Sequence, residues 1–256
     1  MTHITAYLSN LRRSLAELRV NVPAEVDEEY SNRHRLTAAA SRFSAPSGLQ
    51  IAEAWADATL NDRDPFKDPT LQATLFAKAL GEHLEYQVGQ VVDQRIIAAL
   101  KQHADPILNQ LKNVCADASA HLHAAHAVIG NVPFTAEATA AAGSYVLASW
   151  ESATEAIRKI DQVNTAWHYL AQLTRFAIPD TDRPIRLCAT LDVGTYDRTR
   201  RHYDVWAIIH AGHSLDLATT QAEIQARRDR IAQLRKEADE ARTEEARRAV
   251  KRSFGI

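Results

Sequence analysis

The chain has 256 residues and a formal net charge of −2, with 24% charged and 46% hydrophobic side chains. That length allows one large domain or two smaller ones with a substantial core, and the near-neutral balance removes any global electrostatic case for nucleic acid or anionic lipid. Only eight Gly and eight Pro, against abundant Ala, Leu, Arg, Glu and Gln, predict an all-α fold.

In chain order, Ile4, Leu8, Leu11, Leu15 and Leu18 alternate spacings of four and three. This is a heptad stripe on a first helix, with Thr2 as N-cap and an end before Pro23. The Met1-Thr2-His3-Ile4 start lacks the basic and apolar run of a signal peptide, and no apolar run approaches a membrane span. A soluble cytoplasmic protein is therefore expected, and Cys115 and Cys188, in no zinc or redox spacing, suit a reducing compartment. A second helix over 24–43 uses Val26, Tyr30, Leu36 and Ala40 and is broken by Ser44-Ala45-Pro46-Ser47-Gly48. A short helix over 51–60 should bury Ile51 and Trp55, before Asp64-Pro65 and Asp68-Pro69 mark a loop. From Thr70 a long helix has Leu71, Leu75, Val88, Val91, Ile96 and Leu100 as its core, restarts at Asp105-Pro106, and stops at Gly130.

The segment 118–150 is the most distinctive, with one formal charge, Glu137, in 33 residues. It turns at Gly130-Asn131-Val132-Pro133 and reads as the small-residue tip of a helical hairpin. A helix surface without charge over several turns is normally covered by something. The return helix, 135–177, keeps a stripe of Trp150, Ile157, Ile160, Val163, Trp167, Leu170 and Phe176. At ~1.5 Å per residue it would extend about 65 Å, so an elongated shape is expected.

Residues 179–184, rich in Asp and Arg around two prolines, form the clearest linker. The segment 185–193 alternates like a strand, but one strand makes no sheet, and an extended connector or a short helix fits equally. A helix over 197–211 ends at Gly212, and Ser214 caps a last helix over 215–253. In that helix Leu217, Thr220, Ile224, Arg227, Ile231, Leu234, Ala238 and Ala241 form a narrow three-four seam among dense charge, as in a coiled coil. Arg227 within the seam, and Ala beyond residue 237, predict weak or mixed pairing. The expected fold is an elongated helical bundle built on a long antiparallel hairpin (1–178, tip near 130–134), a linker with a short helix (179–213), and a coiled-coil-like helix (214–256).

Chemistry is sparse. No GxxxxGK, GxGxxG, GxSxG or HExxH occurs, and no Glu has a His three residues later, which closes the di-iron bundle reading. His121, His123 and His126 near the hairpin tip, with Cys115 and Asp117 upstream, are weak metal candidates, because one helix seldom supplies a closed site. His202, Trp206, His210 and His213 fall at spacings of four, four and three. They read either as a half-buried helix edge or as a face that opens when its imidazoles charge near pH ~6. Arg247, Arg248, Lys251 and Arg252 close the last helix and complement its dipole. The ten Lys/Arg and seven Asp/Glu of 221–256 are too mixed for a phosphate-binding stripe. Trp55, Trp150 and Trp167 are expected core anchors.

These features favour a non-enzymatic assembly or adaptor protein with no cofactor, pairing with a second copy or another helical protein. The expected contact residues are Ala125, Val128, Phe134, Tyr145 and Val146 at the tip and Ile224, Ile231 and Leu234 in the tail. The alternatives are a membrane-active hairpin, as in helical pore-forming toxins, and a helical enzyme or metal-binding protein using a histidine cluster.

Overall fold

The structure is a computed structural model that describes residues 3–41, 45–81, 84–176 and 182–254. The described residues form twelve helices and no strand, so the fold is all-α. The chain separates into two compact units: 22–102, and 1–21 together with 103–256.

The larger unit is centred on α6 (Ala104–Ile129) and α8 (Ser144–Thr174), its most extensively packed helix pair. The buried positions of α6 include Ile107, Leu111, Cys115, Ala118, Leu122, Ala125 and Ile129, and those of α8 include Ala153, Ala156, Ile160, Val163, Trp167, Leu170 and Thr174. Both seams step by three and four, which keeps one face of each helix turned inward over its length. α1 (His3–Glu17) packs on α8 through Leu8, Leu11 and Leu15, while Ile4 at the start of its stripe is exposed. α1 ends in a Schellman turn in which Val20 N–H donates to the Leu15 carbonyl and Arg19 adopts φ 55°.

The uncharged return segment is two helices, not one: α7 (Ala136–Ala142) and α8 are separated by Gly143 at φ 119°, ψ 163°. That region is open to glycine and closed to almost every other residue, and the Thr135 hydroxyl gives α7 its own N-cap by accepting from Ala138 N–H. The linker composition ends in a short α9 (Arg183–Leu187), so the 185–193 segment is not extended at its start. The helix expected over 197–211 is also two, α10 (Val193–Arg201) and α11 (Val205–His210), because the Asp192 and Asp204 side chains each cap a separate N-terminus.

The last helix, α12 (Gln221–Phe254), starts six residues later than the periodicity predicts. Glu223 accepts from the Thr219 and Thr220 amides while the Thr220 hydroxyl accepts from Glu223 N–H, a capping box that fixes the start. The preceding residues run over α9, where Asp216 and Ala218 N–H donate to the Leu187 and Arg186 carbonyls. Those are carbonyls that a helix C-terminus would otherwise leave unpaired. α12 then packs on α9 and α10.

The smaller unit pairs α2 (Ala24–Ser41) with α5 (Leu84–Gln102), and α3 (Gly48–Leu60) with α4 (Pro69–Gly81). In the first pair Val26, Tyr30, Val92, Ile96 and Leu100 are buried, and Arg33 pairs with the nearly buried Asp93 at 2.7 Å. Its expected core is only partly covered: Leu36, Leu75, Val91 and Trp55 are exposed. The segment expected to be helical from Thr70 onward is helical over Pro69–Gly81 (α4) and Leu84–Gln102 (α5), and α6 restarts at Ala104, just before Asp105-Pro106.

Candidate functional site

The histidines separated in sequence meet where α6 faces α11. His126 Nε2 lies 2.8 Å from His210 Nδ1, so one imidazole nitrogen donates and the other accepts. Trp206 stacks on Phe134 at 4.2 Å and meets the His126 ring edge-on at 5.6 Å. One turn back on α6, His123 Nε2 is 3.2 Å from the Ser214 hydroxyl, and Ser119 Oγ accepts from Leu215 N–H. Burial, then the neighbouring His210 and His123, hold His126 below the usual imidazole range. His126 is thereby held toward its neutral form and acts as a strut against His210.

The remaining histidines are placed elsewhere. His202 is the exposed C-cap of α10, and His213 Nε2 reaches Asp192 Oδ2 at 2.8 Å. Burial alone would raise Asp192, but the Thr195 hydroxyl and amide together with His213 hold its carboxyl far below the carboxylate range. His121 lines a separate cleft of about 460 Å³ with Asp117, Glu17 and Arg158. Among the described residues no three His, Cys, Asp or Glu side chains converge as metal ligands. Cys115 and Cys188 are buried free thiols, and burial pushes Cys115 up to about 12.

The expected contact residues are divided between interior and surface. Ala125, Ile224 and Ile231 are buried within the chain, Val128, Phe134, Val146 and Leu234 are half-buried, and Tyr145 is exposed. Arg227, read from sequence as a flaw in a coiled-coil seam, is a buried anchor. Its guanidinium donates to the carbonyls of Ile185, Arg186 and Asp216 at 2.7–3.1 Å and to Asp216 Oδ2 at 2.9 Å. Next to it, Arg186 donates to Asn164 Oδ1 at 2.7 Å and lies 4.2 Å over the Trp167 ring, with its pKa lowered to about 10, first by burial. Trp167 is the core anchor expected, its Nε1 donating to the Ala218 carbonyl at 2.8 Å. Past Ala238, residues 239–248 of α12 are all exposed, with charges paired along the helix as in Arg248–Glu244 at 3.3 Å.

Two features escaped the sequence. The first is in the smaller unit, where Leu60 is 84%, Phe66 75% and Phe76 66% exposed, with Leu49 and Trp55 beside them in α3. Their connecting loop is tightly held. Asp68 accepts from the Thr70 and Leu71 amides, Arg63 pairs with both Asp57 and Asp68, Asp64 accepts from Phe66 N–H, and Phe66 packs edge-on against Trp55 at 5.2 Å. The second is a cleft of about 520 Å³ in the larger unit, walled by α9, α10 and α12 and carrying Arg200, Arg228 and Arg235. The sequence signal for it was Arg228 and Arg235 seven residues apart around Ile231, a pattern identical to the solvent flank of a coiled coil. No protein-family model, curated protein or solved structure matches the chain. No helix among the described residues is long and apolar enough to cross a membrane.

Proposed function

We propose that the chain is a non-enzymatic assembly protein that self-associates through helix–helix contacts. The observation that carries this reading is the α3–α4 surface, where Leu49, Trp55, Leu60, Phe66, Leu75 and Phe76 stand exposed on a loop and helices held by caps and ion pairs. Ordered exposure of several large apolar side chains is unfavourable for an isolated soluble chain, and burying each one stabilises a contact by roughly 1.5–3 kcal/mol. The packing of α6 against α8 supports the long antiparallel hairpin of this reading, and the exposed residues 239–248 of α12 are its candidate coiled-coil strand. To the tip residues Val128, Phe134, Tyr145 and Val146 and the tail residue Leu234 this reading adds α3–α4 as a contact surface, while Ala125, Ile224 and Ile231 are already covered by their own chain.

The test is absolute mass by light scattering across a wide concentration range. The chain should exceed its 28.5 kDa monomer mass, and L60S/F66S/F76S should return it to monomer with unchanged helicity. A wild-type chain that stays monomeric at every concentration refutes self-association.

A further inference from the structure

The tip of the larger unit is fastened through a contact that protons can undo. Residues 131–142 carry one charge, Glu137, and run between Gly130 at φ 57° and Gly143 at φ 119°, two positions where glycine tolerates large backbone rotation. Within the segment only Thr139 is buried, and Thr135 caps α7 and accepts from the Thr139 hydroxyl, so the segment holds its shape locally. α7 packs on α8, to which Gly143 joins it. The clasp is Phe134, whose ring stacks on Trp206 of α11 at 4.2 Å and lies 6.1 Å from the Trp150 ring of α8. Trp206 and His210 are one turn apart on α11, so the His126–His210 bond sets where the seat for Phe134 stands.

We propose that residues 131–142 form a hinged lid that closes on Trp150 and Trp206 through Phe134 and is released when His126 and His210 are both protonated. Neutral rings share one N–H···N hydrogen bond at 2.8 Å, whichever ring donates, whereas two imidazolium rings present N–H to N–H and have no acceptor. The neighbouring polar contacts survive acid. The Ser214 hydroxyl facing His123 accepts as well as donates, a charged His213 still pairs with the Asp192 carboxylate, and Asp204 is engaged in capping α11. Glu137 of α7 and Glu151 of α8 are exposed. The charges that act on His126 are those of His210 and His123, both imidazoles, so among the described residues no carboxylate compensates a second proton there. The closed lid is therefore complete above pH ~6.5 and is lost as pH falls below it. Trp150 Nε1 is buried without an acceptor among the described residues, and water reaching it on opening offsets part of the stacking lost at Phe134.

Pulsed dipolar electron spectroscopy of the full chain carrying A141C/T165C tests it, with nitroxides at exposed positions of α7 and α8 while Cys115 and Cys188 stay buried. Dilution into excess unlabelled chain removes distances between copies, so the outcome does not depend on self-association. The labelled chain should show one distance at about pH 7.5 and gain a longer component by about pH 5.5. H210Q, at an exposed position, gives His126 an amide partner that donates or accepts in either protonation state, so it should keep the single distance throughout. A distribution that does not change between about pH 7.5 and about pH 5, or an equal change in H210Q, overturns the proposal. Should H210Q not fold, F134A decides: it should show the longer component already at about pH 7.5, and an unchanged distance there refutes the clasp.

Discussion

Replacing Arg227 with Ala isolates what fastens α12 to the body of the larger unit. The guanidinium serves three carbonyls and one carboxylate, but their losses differ. The Arg186 carbonyl keeps the Ala218 amide as donor. The Asp216 carboxylate, 41% exposed, keeps Lys112 at 3.1 Å. The cost is therefore concentrated at the Ile185 and Asp216 carbonyls, at roughly 1–1.5 kcal/mol each, with about 1 kcal/mol more for the lost charge-assisted bond to Asp216. The sum, about 3–4 kcal/mol, is a large fraction of the ~5–15 kcal/mol that typically holds a domain together. Urea unfolding followed by tryptophan fluorescence reads it, because Trp167 donates to Ala218 within the same junction. The midpoint should fall while the slope stays constant. Arg230→Ala, on the exposed side of α12, should remain within about 0.5 kcal/mol of wild type. A loss under about 1 kcal/mol for Arg227→Ala would refute the anchoring role and leave α12 held by Ile224, Ile231 and the Arg235–Asp197 pair.

Three other outcomes are expected. A base depressed in the folded state binds fewer protons than in the unfolded chain, so the His126 contribution is complete above its unfolded value near ~6.5 and is lost as pH falls through it. The thermal midpoint should therefore drop between about pH 7.5 and about pH 5.5, and His126→Gln, which removes the group facing His210 and His123 beside Phe134 and Trp206, should flatten that drop; an unchanged slope contradicts the strut. Gly143→Ala meets no neighbouring atom but must adopt φ 119°, so it should cost about 1–3 kcal/mol in chemical unfolding, and a neutral result would mean that α7 and α8 can fuse. Cys115 and Cys188 should resist a thiol reagent at neutral pH in the folded chain and both react in denaturant, because burial raises both thiols; rapid labelling of the native protein would contradict their placement.

The helices and much of the interior could be read from periodicity. The seams Leu8, Leu11 and Leu15, Ile107 to Ile129, and Ile160 to Leu170 keep three-four spacing and are buried, because a helix that hides one face must repeat its apolar residues at the helical period. Gly130 and the Asp105-Pro106 restart were legible for local reasons, a positive φ of 57° and a proline in the first turn. The candidate sites were not legible to the same degree. The histidines stood out as residues, but the His126–His210 contact joins positions 84 apart, and spacing along one helix carries no information about such a partner.

The sequence by itself determined that this protein is all-α and which face of most helices is apolar, since both follow from propensity and period within a few turns. Tertiary structure alone decided what each face meets. It made Arg227 an anchor, because three carbonyls and a carboxylate converge on it from segments up to 42 residues away. It left Trp55, Leu75 and Val91 exposed, because an apolar stripe is buried only where another element arrives to cover it. It also set three arginines around one cleft, because a pattern of charge on a helix is the same whether solvent or a second wall stands opposite.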